Sequence, residues 1–184
     1  MNADSSNMRY GRTARIAHWL IALLLLGQFA LGFWLDTIPR NTAPRGYFIN
    51  LHKSFGLVIG LLILLRIYWR FRHPPPPPHI VIAPWQQRLA AATHHLLYVC
   101  MLVMPLSGYL ASNFSRHGIK FFNAVTWVPW GPDDKTLYAL FNQTHKVTAA
   151  LLLALVVLHL LAALWHALRR DGIFSRIWLF PYSM

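Results

Sequence analysis

The sequence predicts an all-α integral membrane protein, a four-helix bundle running up-down-up-down with N- and C-termini cytoplasmic, and three observations carry that expectation. The chain of 184 residues is 56% hydrophobic and 12% charged, whereas an ordinary soluble domain carries about 25% charged residues. Uncharged runs extend from Ile16 to Leu35, Leu89 to Ser115 and Val147 to Leu168, each long enough to cross an apolar layer of about 30 Å as helix. A fourth run begins at Leu51 and is interrupted by Arg66 near its far end. The third observation is the placing of Lys and Arg. Arg9, Arg12, Arg15, Arg66, Arg70, Arg72, Arg88, Arg169, Arg170 and Arg176 fall on the side of the N-terminus, against Arg40, Arg45, Lys53, Arg116, Lys120, Lys135 and Lys146 on the other. That bias favours both termini on the cytoplasmic side.

The whole of 1–184 is read as one membrane domain, with spans at about 14–35, 50–70, 87–113 and 144–168, a proline-rich cytoplasmic connector over 73–79 and a periplasmic loop over 114–143. The formal charge of +12 would point to nucleic acid in a soluble protein. Here the arginines cluster at the ends of apolar segments, as membrane topology requires, and nucleic-acid binding is set aside. The single cysteine, Cys100, allows neither an internal disulfide nor a Cys-based metal site.

Arg9, Arg12 and Arg15 precede the first run, which is too long for a signal-peptide core and lacks a small-x-small cleavage site, so an uncleaved span is expected. It carries His18 near its start and Gly32 14 positions on, on the same face, where a missing side chain leaves room for a flat ligand. Pro39, Pro44 and Gly46 mark a short connection. In the second span His52, Gly56 and Gly60 share a face at i, i+4 and i+8; such a stripe serves helix packing or clears space below the histidine. Arg66, 14 positions after His52, faces the same way at the opposite depth and either snorkels to the interface or pairs with a buried anion. Pro74 to Pro78 read as a polyproline II spacer between the interfacial residues His73 and His79. The third span carries His94, His95 and Pro105, which should bend it. The long loop after it is rich in Trp127, Trp130 and turn residues, a composition that suits a headgroup belt or a cover over a site.

The fourth span carries the chemistry. His145 and His159 are 14 positions apart, close to four helical turns, so both leave one face about 21 Å apart along the axis. With alternating helices, His18 and His159 share one depth, and His52 and His145 the other. Two imidazoles from different helices at one level suit a six-coordinate haem b, iron between them. Zinc would want four ligands, and the five acids of the chain all lie outside the apolar runs. A c-type haem is excluded because no Cys-x-x-Cys-His is present.

Four stretches together resemble the bacterial cytochrome b561 family: Arg15-Ile16-Ala17-His18-Trp19, Leu51-His52-Lys53-Ser54-Phe55-Gly56, Arg66 and Arg70 before the prolines, and Thr144-His145 with His159. The resemblance spans roughly Arg9 to Arg170. It implies two haem b groups, one on His18 with His159 and one on His52 with His145; by their positions in the sequence, Arg66, Arg70, Gly32, Gly56 and Gly60 are taken as further cofactor-binding residues. His94 and His95 stay outside the ligand set. Family members carry electrons across or into the bacterial inner membrane. The nearest kind oxidises superoxide at the periplasmic face and reduces ubiquinone, and others are cytochrome b subunits of a partner dehydrogenase or hydrogenase.

The basic residues of the non-cytoplasmic side suit a funnel for a small anion, and equally lipid phosphate or an acidic partner. Lys53 and Lys146 each follow a histidine of interest and are the candidates for steering an anion or holding charge. The expected function is superoxide:quinone oxidoreductase, with an electron-transfer subunit as the alternative. A histidine-based proton or metal transporter is the alternative of another class, although such a protein ordinarily needs membrane carboxylates or broken helices.

Overall fold

The computed structural model describes residues 9–74, 76 and 83–180. Four long helices dominate it: α1 (Arg12–Leu35), α2 (Ala43–Arg72), α3 (Pro84–Asn113) and α4 (Lys135–Arg169). All four are long and apolar enough to cross a membrane. A short hairpin, β1 (Ile119–Phe121) and β2 (Val125–Trp127), lies in the α3–α4 connection, and a 3-10 turn, Phe174–Arg176, follows α4. Of the proline connector, residues 75 and 77–79 lie outside the described residues, so the polyproline spacer and His79 have no structural account here.

Two helices begin earlier than hydropathy suggests, each through a local signal at its start. The second reaches back to Ala43 because Pro44 sits in its first turn, where a proline ring already has helical φ and its missing N–H costs nothing. The fourth begins at Lys135 because Asp134 caps it, its carboxylate accepting from the backbone N–H of Thr136 (2.8 Å) and Leu137 (3.0 Å). The first turns of both helices precede the apolar runs of the sequence, beyond the reach of a hydropathy criterion.

The tightest pairing is α3 on α4, followed by α1 on α2 and α2 on α3, which leaves the seam between α4 and α1 the more open one. The buried core is thin and axial. One cluster joins Phe29, Leu97, Cys100, Met104 and Leu152, and a second joins Ile21, Ile59 and Ile63. Most other large apolar side chains, such as Leu23, Leu61, Leu65, Val99, Leu151 and Leu161, point outward. In water that surface would be prohibitive; in a bilayer, lipid tails cover it, and helix association rests on close packing. Gly60 serves that packing, since a Cβ there would meet the Pro105 ring at 3.4 Å.

The hairpin is tied down onto the start of α2. The fully buried Ser54 hydroxyl donates to Asn50 O (2.7 Å) and accepts from the Phe122 N–H (2.7 Å). Asn50 Nδ2 donates to Asn123 Oδ1 (2.9 Å), and Lys53 Nζ donates to Gly118 O (2.8 Å). Gly118 has φ +56°, and a Cβ there would lie 2.7 Å from Trp127 O, so glycine is required on both counts.

At the other end the C-terminal segment crosses back over the start of α1. Arg9 donates to the carbonyls of Ser175, Trp178 and Phe180, and Arg15 to those of Trp178 and Leu179. Trp19 Nε1 donates to Ile177 O at 3.0 Å. These donors satisfy carbonyls of a segment whose regular structure is limited to the 3-10 turn.

Candidate functional site

The four-histidine pattern becomes two couples, one towards each end of the bundle. His18 on α1 and His159 on α4 have ring centroids 6.2 Å apart with planes at 69°. His52 on α2 and His145 on α4 have centroids 6.1 Å apart with planes at 81°. Two imidazoles ligating opposite sides of one metal through bonds of about 2.0–2.1 Å place their centroids roughly 6.3 Å apart. Both couples therefore stand at the spacing of a shared iron with an imidazole on each face. Among the described residues no group of three or more His, Cys, Asp or Glu converges as a metal-ion site. A porphyrin suits such couples because it brings four equatorial nitrogens of its own and asks the protein for two ligands.

Further details of the couple at the hairpin end, here called distal, agree with that chemistry. His145 Nδ1 lies 2.7 Å from the carbonyl of Met104, which accepts only from a protonated nitrogen. That bond fixes the tautomer and leaves Nε2 with its lone pair free for a metal, the usual arrangement of a ligating histidine. His52 Nδ1 is buried without a hydrogen-bond partner among the described residues, and the backbone carbonyl of His52 accepts from Gln28 Nε2 at 2.8 Å. Glycines flank the rings: a Cβ on Gly32 would lie 3.5 Å from His52 Cε1, and one on Gly108 would lie 3.0 Å from His145 Nδ1. A Cβ on Gly56 would meet Gln28 Nε2 at 3.3 Å. Both rings, with Gly32, Gly56 and Gly108, line a cleft of about 1280 Å³, ample beside the roughly 300–1,000 Å³ of a small-molecule site.

The mouth of this cleft collects every cationic residue of that end: Arg40, Arg45, Lys53, Arg116, Lys120, Lys135 and Lys146, with His117 and two acids, Asp36 and Asp133. They divide into two groups. Arg45 is spent on the carbonyls of Leu35 and Ile38 at the end of α1, Lys53 on Gly118 O, and Arg116 on Asp133 at 3.6 Å. The side chains of Arg40, Lys120, Lys135 and Lys146 have no hydrogen bond or ion pair with any described residue.

At the proximal end, where both termini of the described chain meet, a third imidazole joins the couple. His94 on α3 has its ring centroid 5.4 Å from that of His159. His95 points elsewhere, its Nδ1 bonded to Ala91 O at 2.7 Å, and His166 pairs with Asp171 at 2.6 Å. Trp19 packs edge-on against both His18 and Trp178, so the C-terminal segment covers this end. Arg66 donates to Ala14 O (3.2 Å) and Tyr98 Oη (3.3 Å), and with Arg70 lines a crevice between α1 and α2.

Sequence reasoning missed Gln28, Gly108 and the Met104 carbonyl; of His94 and His95, named there without a role, it is His94 that stands against the couple. Gln28, a buried amide in the middle of an apolar span, was the one legible signal. Gly60, which the sequence offered either for helix packing or for space beside a cofactor, stands against Pro105 of α3.

The sequence profile of the prokaryotic cytochrome b561 family matches residues 9–179. The chain belongs to that family. It is a haem b-binding, multi-pass bacterial membrane protein of electron transfer. Among relatives, "Cytochrome b561 homolog 2" of Escherichia coli (strain K12) is 32% identical over 122 residues, 66% of this chain and 65% of the relative. The match thus spans just under two thirds of that protein's length. "Probable superoxide oxidase CybB" of Yersinia pestis is 26% identical over 159 residues, 81% of this chain and 83% of the relative.

Proposed function

We propose that this cytochrome is a di-haem b oxidoreductase of the bacterial inner membrane, taking electrons from superoxide at the periplasmic face and delivering them to ubiquinone. The carrying observation is the convergence of seven cations on the cleft that holds His52 and His145. His52 with His145 and His18 with His159 are the proposed ligands, the spacing of each couple being the support. Haem held in this way supplies one-electron storage at two levels of the membrane.

The chain's own residues do the rest. Arg40, Lys120, Lys135 and Lys146, uncommitted and at the rim, raise the local concentration of a small anion and its encounter rate. Lys146 and Lys53 adjoin the distal ligands in sequence and are the proposed catalytic contacts, Lys53 as a charge fixed by its bond to Gly118 O. The Met104 carbonyl orients His145, and Gln28 ties α1 to the His52 backbone. The fully buried Ile63 and Leu152 help keep the interior dry. The electron balance is two superoxide anions giving two dioxygen, while one quinone takes two electrons and two protons to become quinol. The Yersinia pestis relative, named for superoxide oxidation, supports the choice of donor.

Stopped-flow mixing of the purified, haem-loaded chain with superoxide tests this. The haem bands should be reduced promptly, at a rate that falls as salt rises, because screening acts over about 10 Å at 0.1 M. Reduction by quinol with no response to superoxide would remove superoxide as donor and leave a cytochrome that serves another partner.

A further inference from the structure

The crevice between α1 and α2 at the proximal end shares no lining residue with the cationic cleft. We infer that it binds one anionic phospholipid, the headgroup phosphate held by Arg66 and Arg70 and the start of an acyl chain laid against Ala17, Leu62 and Leu65. The inference holds whichever molecules give or take electrons, and needs only that the bundle lies in a membrane.

The lining is graded along the helix axes. The bond from Arg66 to Ala14 O sets the register of the two helices. Outward of that level lie Tyr10, Thr13 and Arg70, and inward lie Ala17, Leu62 and Leu65. From Arg70 to Leu62 is about 12 Å of helix. A cationic, hydroxyl-bearing top over an apolar floor repeats the order of a phospholipid, with its headgroup at the interface and its chains towards the bilayer centre. Trp69, stacked on His73 with centroids 3.9 Å apart and planes at 14°, stands at the upper level, where tryptophan marks the headgroup zone. Leu65 is exposed on the outer surface of α2, so a chain leaves the crevice directly into the surrounding lipid.

Charge names the headgroup. Arg66 and Arg70 are one turn apart on one face, and like charges so placed destabilise a helix. The crevice lining holds no Asp or Glu to offset them. Arg66 has five N–H groups, of which its bonds to Ala14 O and Tyr98 Oη use two. Arg70 makes no hydrogen bond or ion pair with any described residue. A phosphodiester answers both, because guanidinium donors match phosphate oxygens in geometry and in charge. A zwitterionic headgroup would add an ammonium that no carboxylate of the lining receives, so net negative charge is selected. Size agrees. An apolar cavity of about 150 Å³ holds benzene, so the crevice, at about 180 Å³, takes a phosphate with its ester carbons while the rest of each chain stays in the bilayer. Free phosphate shares the headgroup chemistry but has nothing to place on the apolar floor.

Native mass spectrometry of the full haem-loaded chain, stripped of lipid in mild detergent and titrated with phosphatidylglycerol or phosphatidylethanolamine, tests the site. One phosphatidylglycerol is expected per chain, held at least tenfold more tightly than phosphatidylethanolamine. Arg70→Gln should weaken it roughly fivefold, the worth of one arginine near anionic lipid, and Leu65→Trp, which fills the crevice, at least tenfold. Retained haem checks the fold of each variant, and should Leu65→Trp lose haem, the exposed Arg70→Gln decides alone. Arg88→Gln, which alters an arginine of the same end outside the crevice, should change nothing. Equal affinity for the two lipids, an equal loss in Arg88→Gln, or full binding in the crevice variants would each overturn the site. Displacement of the lipid by millimolar inorganic phosphate would overturn the phospholipid as its ligand.

Discussion

The two histidine couples are built from the same parts and finished differently. Each takes one ring from α4 and one from an earlier helix, with centroids 6.1–6.2 Å apart. The distal couple has one nitrogen pinned by a backbone carbonyl, glycine clearance beside both rings and an open cationic mouth. The proximal couple has a third imidazole alongside and an aromatic cover drawn from the C-terminal segment. A shared spacing fits a shared cofactor, so what differs around each couple is what can separate their tasks. An open, charged end suits exchange with a soluble anion; a covered end suits exchange with a membrane-dissolved partner.

The sharpest way to break this comparison is to remove ligands one at a time. His52→Ala and His145→Ala should each lose the same one of two haems, and His18→Ala and His159→Ala the other, read as haem per chain and as the surviving component of a redox titration. Four identical spectra would dissolve the two couples into one site. A gentler blow to the distal end is Gly108→Ala, whose Cβ would stand 3.0 Å from His145 Nδ1 and force the ring to yield. Haem retention there should weaken about tenfold, the low end for disturbing a ligand's support, with the proximal haem unmoved. An equal effect at both ends would mean that Gly108 acts through the whole bundle.

Charge reversal sharpens the contrast without touching the couples. Lys120→Glu with Lys135→Glu should slow reduction by superoxide roughly tenfold at low salt, within the range of electrostatic steering, and by little at high salt. A slowing that salt does not relieve would point to damage at the site instead. The smallest effect is expected from Trp178→Ala, which removes the edge contact with Trp19. A loss of about 1 kcal/mol is expected, as for an aromatic pair, seen as earlier thermal loss of the proximal haem alone.

Much of this was legible because membranes enforce simple rules. Four apolar runs, and histidines at matching depths on alternating helices, follow from rise per residue and layer thickness alone. Helix starts ahead of the apolar runs were less legible, since Pro44 and Asp134 act through backbone geometry and capping, to which hydropathy is blind. The glycine stripe was ambiguous for a related reason. Gly56 and Gly60 are one turn apart, yet one faces Gln28 and the other Pro105. Which neighbour a residue meets is set by how helices cross, and no periodicity within one helix encodes it.

The sequence by itself determined that this chain crosses a membrane four times, that histidines sit at two depths and that one end is ringed with cations, because each of these needs only order along the chain. Tertiary structure decided which imidazoles meet, that Met104 holds His145 while His94 joins His159, which lysines remain uncommitted, and that the C-terminal segment lies over the proximal couple. These are contacts between segments up to about 160 positions apart. They exist only once packing has chosen which faces of the helices meet, a choice made by many small contacts together and by no single residue.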